Sequence, residues 1–329
     1  MLIKSEEEEV TNEKDFFIID SEAHIMPWEF RKHISYYPAS AYFSKPAESP
    51  TGKWWNTHPL TKERREKPSD WTMEGLVQAM DDAGIDMTCM LGESFLNLSY
   101  NGVPCSTNNH TIEAMKKYPG RIIGCSQMGP HLIRGVKNSI IELEILHKEY
   151  GFKYTKIYSP EDSGPFNHPD LFPFYEKCIE LNVVVFIHTG LAVDGDSDYC
   201  QPMLLDNICL AFPELKIVVY HFGWPENDIL NSLAWKHKNL YVEMSGMLEP
   251  LYYAPIKSAH IVGAIMNILG GSEKIVFGSD WPGSPADLSV KAILNLQISK
   301  ELQEGWSYPP VSIPRQSRGL YDCWPLKGA

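Results

Sequence analysis

The feature that most constrains this chain is an alternation. Eight short runs rich in β-branched residues recur along it: FFIID from Phe16, MTCML from Met87, RIIGCS from Arg121, YTKIY from Tyr154, VVVFIH from Val183, KIVVYH from Lys216, LYVEM from Leu240 and KIVF from Lys274. Helical periodicity fills the stretches between and after them, at 72–83, 107–117, 136–149, 171–181, 203–211, 227–236, 256–269 and 286–302. Several of these stretches end on stop signals such as Gly84, Asn182 and Gly270–Gly271. Strands that are apolar almost throughout are buried on both faces, as in a parallel sheet covered by helices. Eight β-then-α units in one chain predict a (β/α)8 TIM barrel. The main rival is an open doubly wound sheet, and no G-x-G-x-x-G follows an early strand to favour its dinucleotide-binding form.

The boundaries follow from composition. Residues 1–15 are an acidic arm, and 16–329 read as one barrel domain. At 329 residues, 43% hydrophobic and 12% aromatic, the chain can fill such a core without staples. Its seven cysteines form no C-x-x-C pair, and several fall inside strand or helix patterns, so buried free thiols are expected. A net charge of -13 with no basic block argues against a nucleic-acid partner. No apolar run is long enough to cross a bilayer. The opening MLIKSEEEEV lacks the apolar stretch of a signal peptide, so a cytoplasmic location is expected.

One segment breaks the rhythm. Residues 25–71 separate the first strand from the first helix and carry Pro27, Pro38, Pro46, Pro50, Pro59 and Pro68 together with Trp28, Trp54, Trp55 and Trp71. Loops this long are usually functional. In a barrel this one would emerge at the C-terminal face and could cover a site; a surface excursion packed by its own aromatics is the equal alternative.

The polar residues at strand ends carry the chemistry. Asp20-Ser21-Glu22-Ala23-His24 follows the first run, His188 ends the fifth, His221 ends the sixth, and Asp280 follows the eighth in GSDWPG. Barrel enzymes build their sites at these C-terminal strand ends. Alone, each residue has an ordinary explanation: a hydrogen-bonded structural histidine, or for Asp280 a helix cap. Their coincidence on one rim is harder to explain that way. Glu22 and His24 are two apart, so in extended backbone their side chains share a side and one metal ion can meet both. Imidazole and carboxylate donors suit Zn2+ and also Mn2+. Lys156, in the fourth run, reads as a salt-bridged interior residue in preference to a carbamylated lysine bridging two metals. Arg31, Glu93, Asn97 and Tyr158 are candidate pocket residues.

Four pieces of the chain, in this order, resemble the amidohydrolase superfamily, and more narrowly its amidohydrolase-2 group, which includes aminocarboxymuconate-semialdehyde decarboxylase and γ-resorcylate decarboxylase. They are DSEAH, HPDLFPFYEKCIELNVVVFIHTG, FPELKIVVYHFGWP and KIVFGSDWPG. The resemblance implies that Glu22, His24, His188 and Asp280 hold one divalent metal ion, Zn2+ foremost and Mn2+ next. It implies that His221 and Asp280 are catalytic. Many members carry His-x-His after the first strand; Glu22-x-His24 is the form found in the benzoate-type decarboxylases, although their Leu-Glu-Glu lead-in is absent. Members also tend to finish with a helix containing an Asn-Ala pair, whereas this chain ends SIPRQSRGLYDCWPLKGA. The expected function is metal-dependent, non-oxidative decarboxylation of a cyclic or aromatic carboxylic acid. The alternative is metal-dependent hydrolysis or hydration of a lactone, amide or unsaturated acid. The expected partner is a small carboxylic acid, and relatives suggest a homodimer or larger homo-oligomer.

Overall fold

The structure is a computed structural model, described here for residues 17–25, 71–92, 106–192, 195–245 and 274–294. Its eight strands are β1 (Ile19–His24), β2 (Met87–Leu91), β3 (Ile122–Gln127), β4 (Tyr154–Ile157), β5 (Val184–His188), β6 (Ile217–Tyr220), β7 (Leu240–Glu243) and β8 (Ile275–Val276). Each pairs in parallel with the next, in sequence order. The two ends of the sheet also meet. Ala23 bridges Trp281 in parallel, Ser21 N–H donates to Phe277 O at 3.0 Å, and His24 N–H donates to Trp281 O at 2.7 Å. The architecture is the expected (β/α)8 barrel.

The helices among the described residues are α1 (Met73–Ala83), α2 (Asn108–Lys117), α3 (His131–Arg134), α4 (Val136–Tyr150), α5 (Phe172–Glu180), α6 (Leu205–Ala211), α7 (Asn227–Lys236) and α8 (Ala286–Leu294). Local chemistry sets their ends. At α1, Thr72 Oγ1 accepts the Gly75 N–H at 3.2 Å, satisfying a donor the helix leaves open. At its other end Gly84 adopts φ 69°, which a side chain would resist, and its N–H turns back onto Met80 O and Asp81 O. None of the described helices is long and apolar enough to cross a membrane.

Strand alternation sorts the apolar residues into two shells. The outward faces meet the helices: Val185, Ile187, Val219 and Val242 pack in one cluster with Leu76, Leu143, Phe174 and Leu230. The inward faces fill the barrel with Ile19, Met87, Cys89, Leu91, Ile123, Cys125, Tyr154, Val184, Phe186, Val218, Tyr220, Tyr241 and Val276. Phe186 and Tyr220 stack there with ring centroids 4.9 Å apart. Cys89, Cys125, Cys178, Cys200 and Cys209 are buried free thiols, as expected.

Two strand boundaries correct the sequence reading. β1 does not stop at Asp20; it runs from Ile19 through His24, so Glu22 and His24 lie in the strand and not after it. The polar run looked like a loop because its burial comes from the barrel around it. The last of the sixth run, His221, lies outside β6 and opens a tight turn at φ 59°. Of the other expectations, the arm at 1–15, most of the 25–71 loop, the helix at 256–269, the chain beyond 294, and Arg31, Glu93 and Asn97 lie outside the described residues.

Candidate active site

The site begins with an irregularity in β1. Asp20 pairs with Thr88 and Ala23 with Met90, so β1 uses one more residue than β2 over this interval. Such a bulge re-aims the side chains beyond it. Uninterrupted alternation from the inward-facing Ile19 would send Ser21 and Ala23 into the barrel. Instead Ala23 joins the outer cluster, and Glu22 and His24 turn inward. Asp20 anchors the bulge. It accepts the Glu22 N–H at 3.2 Å, the Ser279 N–H at 2.8 Å and the Ser279 hydroxyl at 2.5 Å. Burial pushes its pKa up to about 7, against the opposing pull of the Ser279 hydrogen bonds.

The same latch presents Asp280. Its N–H donates to Glu22 O at 2.9 Å, and its own carbonyl accepts the Ser284 N–H at 3.0 Å. Asp280 sits at φ 56°, left-handed backbone that costs a non-glycine residue on the order of 1 kcal/mol or more. The turn puts its carboxylate Oδ1 3.4 Å from His24 Nε2, while Glu22 Oε1 lies 3.6 Å from the same nitrogen. Thus Glu22, His24 and Asp280 converge. Glu22, His221 and Asp280 also each offer a ligand atom with all of these atoms within 4.8 Å of one another. His188, at the inward-facing end of β5, meets the His221 ring at a centroid distance of 4.7 Å and Tyr158 at 4.9 Å. Of the candidate pocket residues, Tyr158 is therefore placed beside the site.

Charge in this layer is uneven. Glu22 is fully buried, which alone would raise its pKa, but His221, His24 and Lys156 outweigh burial and hold it below the ordinary carboxylate range. Lys156 Nζ lies 3.5 Å from Glu22 Oε1 and 5.4 Å from the centroid of the Tyr220 ring, consistent with a salt-bridged interior lysine. Burial holds His188 well below its ordinary value, and the nearby His221 and Lys156 charges add to this. A neutral His188 is the form that ligates a metal.

The donor set fits a divalent cation. His188 Nε2 is buried with no hydrogen-bond partner, and Glu22 Oε1 has only ion-pair contacts, to Lys156 Nζ at 3.5 Å and His24 Nε2 at 3.6 Å. Native interiors rarely leave such a nitrogen unmatched, and a cation accepting lone pairs from imidazole and carboxylate would match it.

Two residues of the layer escaped the sequence reading. Glu243 ends β7 facing inward, and Ser245 follows it. Glu243 was visible as an acid within LYVEM, the same signal that marked His188 in VVVFIH. Ser245 carries no such signal, since a hydroxyl after a strand is ordinary. The corresponding inward position beyond β8 is Gly278, where a Cβ would overlap Glu243 Oε1, so the glycine makes room for that carboxyl.

Comparison with known proteins agrees with this architecture. A family model described as Amidohydrolase (Amidohydro_2) matches residues 19–308, and the chain belongs to that family. Among curated relatives it is 26% identical over 133 residues to a 2-keto-4-carboxy-3-hexenedioate hydratase of Sphingobium sp. (strain NBRC 103272 / SYK-6), covering 35% of this chain and 39% of that protein. It is 29% identical, also over 133 residues, to a 2-amino-3-carboxymuconate-6-semialdehyde decarboxylase of Dictyostelium discoideum, covering 35% of this chain and 36% of that protein. The matches thus span well under half the length of either relative. Among solved structures, an uncharacterised TIM-barrel protein of Bordetella bronchiseptica superposes with a TM-score of 0.67 at 18% identity, over 88% of this chain and 95% of the other. A 5-carboxyvanillate decarboxylase of Sphingomonas paucimobilis superposes with a TM-score of 0.57 at 15% identity, over 88% and 96%. At these identities the two structures speak to the fold alone.

Proposed function

We propose that this protein is a metal-dependent, non-oxidative decarboxylase of a cyclic or aromatic carboxylic acid. The observation that carries the reading is the convergence of Glu22, His24 and Asp280 at 3.4 and 3.6 Å, at the mouth of a barrel lined below with aromatic rings. The decarboxylase relative from Dictyostelium discoideum supports it. Glu22, His24, His188 and Asp280 are the proposed ligands. Zn2+ is the first choice by donor chemistry; Mn2+ is the second, and a 5-carboxyvanillate decarboxylase of the same fold was crystallised with manganese.

When bound, the cation supplies positive charge that holds the substrate carboxylate with an adjacent oxygen and absorbs negative charge in the transition state. The protein's own residues do the rest. Asp280 in its acid form gives a proton to the ring carbon that bears the carboxylate. The bond from that carbon to the carboxylate then breaks, its electron pair returns to the ring, and carbon dioxide leaves. His221 polarises the oxygen ortho to that carbon. The Asp280 side chain is 22% exposed, so water can return its proton after each turnover. The length and aromatic content of segment 25–71 nominate it as the part of the sequence that selects the substrate. We extend the reading to a cytoplasmic homodimer or larger homo-oligomer built from single-domain barrels.

A second reading, hydrolysis or hydration, is favoured by the hydratase relative. The same residues would serve, with Asp280 taking a proton from water and His221 polarising a carbonyl. The purified, metal-loaded protein should release carbon dioxide from at least one acid in a panel of hydroxybenzoates and related acids. Release from none, with turnover of a lactone or unsaturated acid, would establish the second reading in its place. Metal analysis tests the ligand set separately: His188→Ala should lose most of its metal during dialysis, and full retention would remove His188 from the set.

A further inference from the structure

The hydroxyl of Ser245 sits among three groups that all need a hydrogen placed. Its Oγ lies 2.7 Å from Glu22 Oε2, 2.6 Å from Glu243 Oε2 and 2.8 Å from His221 Nδ1. A serine hydroxyl has one hydrogen to give and two lone pairs to offer. Three simultaneous hydrogen bonds therefore require that one partner accept and two donate.

The possibilities are few. Glu22 faces Lys156 and His24 as well as Ser245, so it is the ionised partner and takes the hydroxyl hydrogen. His221 Nδ1 must then carry a hydrogen and donate it to Ser245 Oγ. If Glu243 were ionised instead, the hydroxyl hydrogen would go there and His221 Nδ1 would still have to donate. Only two neutral carboxyls side by side would free Ser245 to donate to Nδ1, and the Lys156 ammonium beside Glu22 opposes that arrangement. The serine is itself held. Its N–H donates to Glu243 Oε1 at 2.8 Å, while the His221 N–H donates to Glu243 Oε2 at 3.2 Å. Glu243 thus ties the backbone of both residues, and the missing side chain at Gly278 gives it the space to do so.

We propose that Ser245 is a positioning residue that fixes His221 as the Nδ1–H tautomer, so that Nε2 is the ring nitrogen presented to substrate. An isolated imidazole leans toward the opposite tautomer, so the serine imposes this choice. The inference deepens the decarboxylase reading by naming the nitrogen that acts on the ortho oxygen: in the neutral ring, Nε2 accepts the hydrogen of an ortho hydroxyl and leaves its electron pair to the substrate ring. The tautomer can be measured without turnover, so this inference and the choice of reaction fail separately.

The test is long-range 1H–15N correlation of histidine side chains in the full chain, at a pH where His221 is neutral, with the His221 signals assigned from their loss in His221→Gln. Wild type should show a protonated Nδ1 and a bare Nε2. A protonated Nε2 in wild type overturns the proposal without any variant. Ser245→Ala should shift His221 toward Nε2–H and lower kcat about tenfold to a hundredfold, with little change in KM. Ser245→Thr, which keeps the hydroxyl, should restore both the tautomer and most of kcat. An unchanged tautomer in Ser245→Ala, or a threonine variant as impaired as the alanine one, overturns the assignment of this role to Ser245.

Discussion

The lower and upper halves of the barrel interior come from the same strands by opposite rules. Below, Tyr154, Phe186, Tyr220 and Tyr241 fill the space with rings. Two residues further along three of these strands, the inward positions become Lys156, His188 and Glu243, joined by Glu22 and His24. The lower half matches its atoms by packing. The upper half leaves His188 Nε2 without a hydrogen-bond partner and holds His221 and Asp280 in left-handed backbone. A polypeptide tolerates such a layer only where something else supports it. Here the support is the packed aromatic floor beneath and the Asp20–Ser279 latch beside it. Stability and chemistry therefore occupy adjacent storeys and can be removed separately.

Asp280→Asn is the strongest way to break that division. It removes the proposed proton donor at a partly exposed position, so turnover should fall by about 10²- to 10⁴-fold while circular dichroism and the thermal midpoint change little. Retained turnover would mean that the upper layer is not organised around Asp280. Phe186→Ala probes the storey below. Deleting a buried ring that stacks on Tyr220 should cost about 3–5 kcal/mol in denaturant unfolding. The metal content of the molecules that remain folded should stay close to wild type. A variant of normal stability without metal would show that the two halves are one unit.

How much of this was legible in the sequence follows the same boundary. The lower storey is written in local pattern: a short, β-branched run such as VVVFIH reads as a strand buried on both faces, and the polar residue that ends it stands out. His188 and Asp280 were legible for that reason, as was the same-side placement of Glu22 and His24. The bulge that turns those two inward was not, because it is a mismatch between β1 and β2, and neither strand alone records it. The left-handed turn at His221 was equally hidden, since neither His nor Phe marks positive φ as glycine does. Glu243 was in view but was read as strand, and Ser245 acquires its role through contacts with Glu22 and His221, both more than twenty residues away.

A second buried histidine lies in the outer shell. His131, in α3, is 1% exposed, packs on Phe174 at 4.7 Å, and has neither ring nitrogen in a hydrogen bond of normal geometry. It resembles His188 in burial but belongs to the outer packing. Burial lowers its pKa to about 4, and the nearby Asp162 opposes this only in part. In the unfolded chain the ring titrates near its ordinary 6.5. Between these values the unfolded state binds a proton that the folded state refuses, so the stability linked to His131 is fully present above pH 6.5 and is lost as the pH falls toward 4. His131→Phe removes that proton. Relative to the variant, wild type should lose about 3 kcal/mol of unfolding free energy from pH 7 to pH 4, measured by urea denaturation at matched salt. Metal content at pH 7 should be the same in both proteins. A pH-independent difference would show that His131 finds a proton-accepting partner in the fold, and a loss of metal would show that the outer shell reaches into the functional layer.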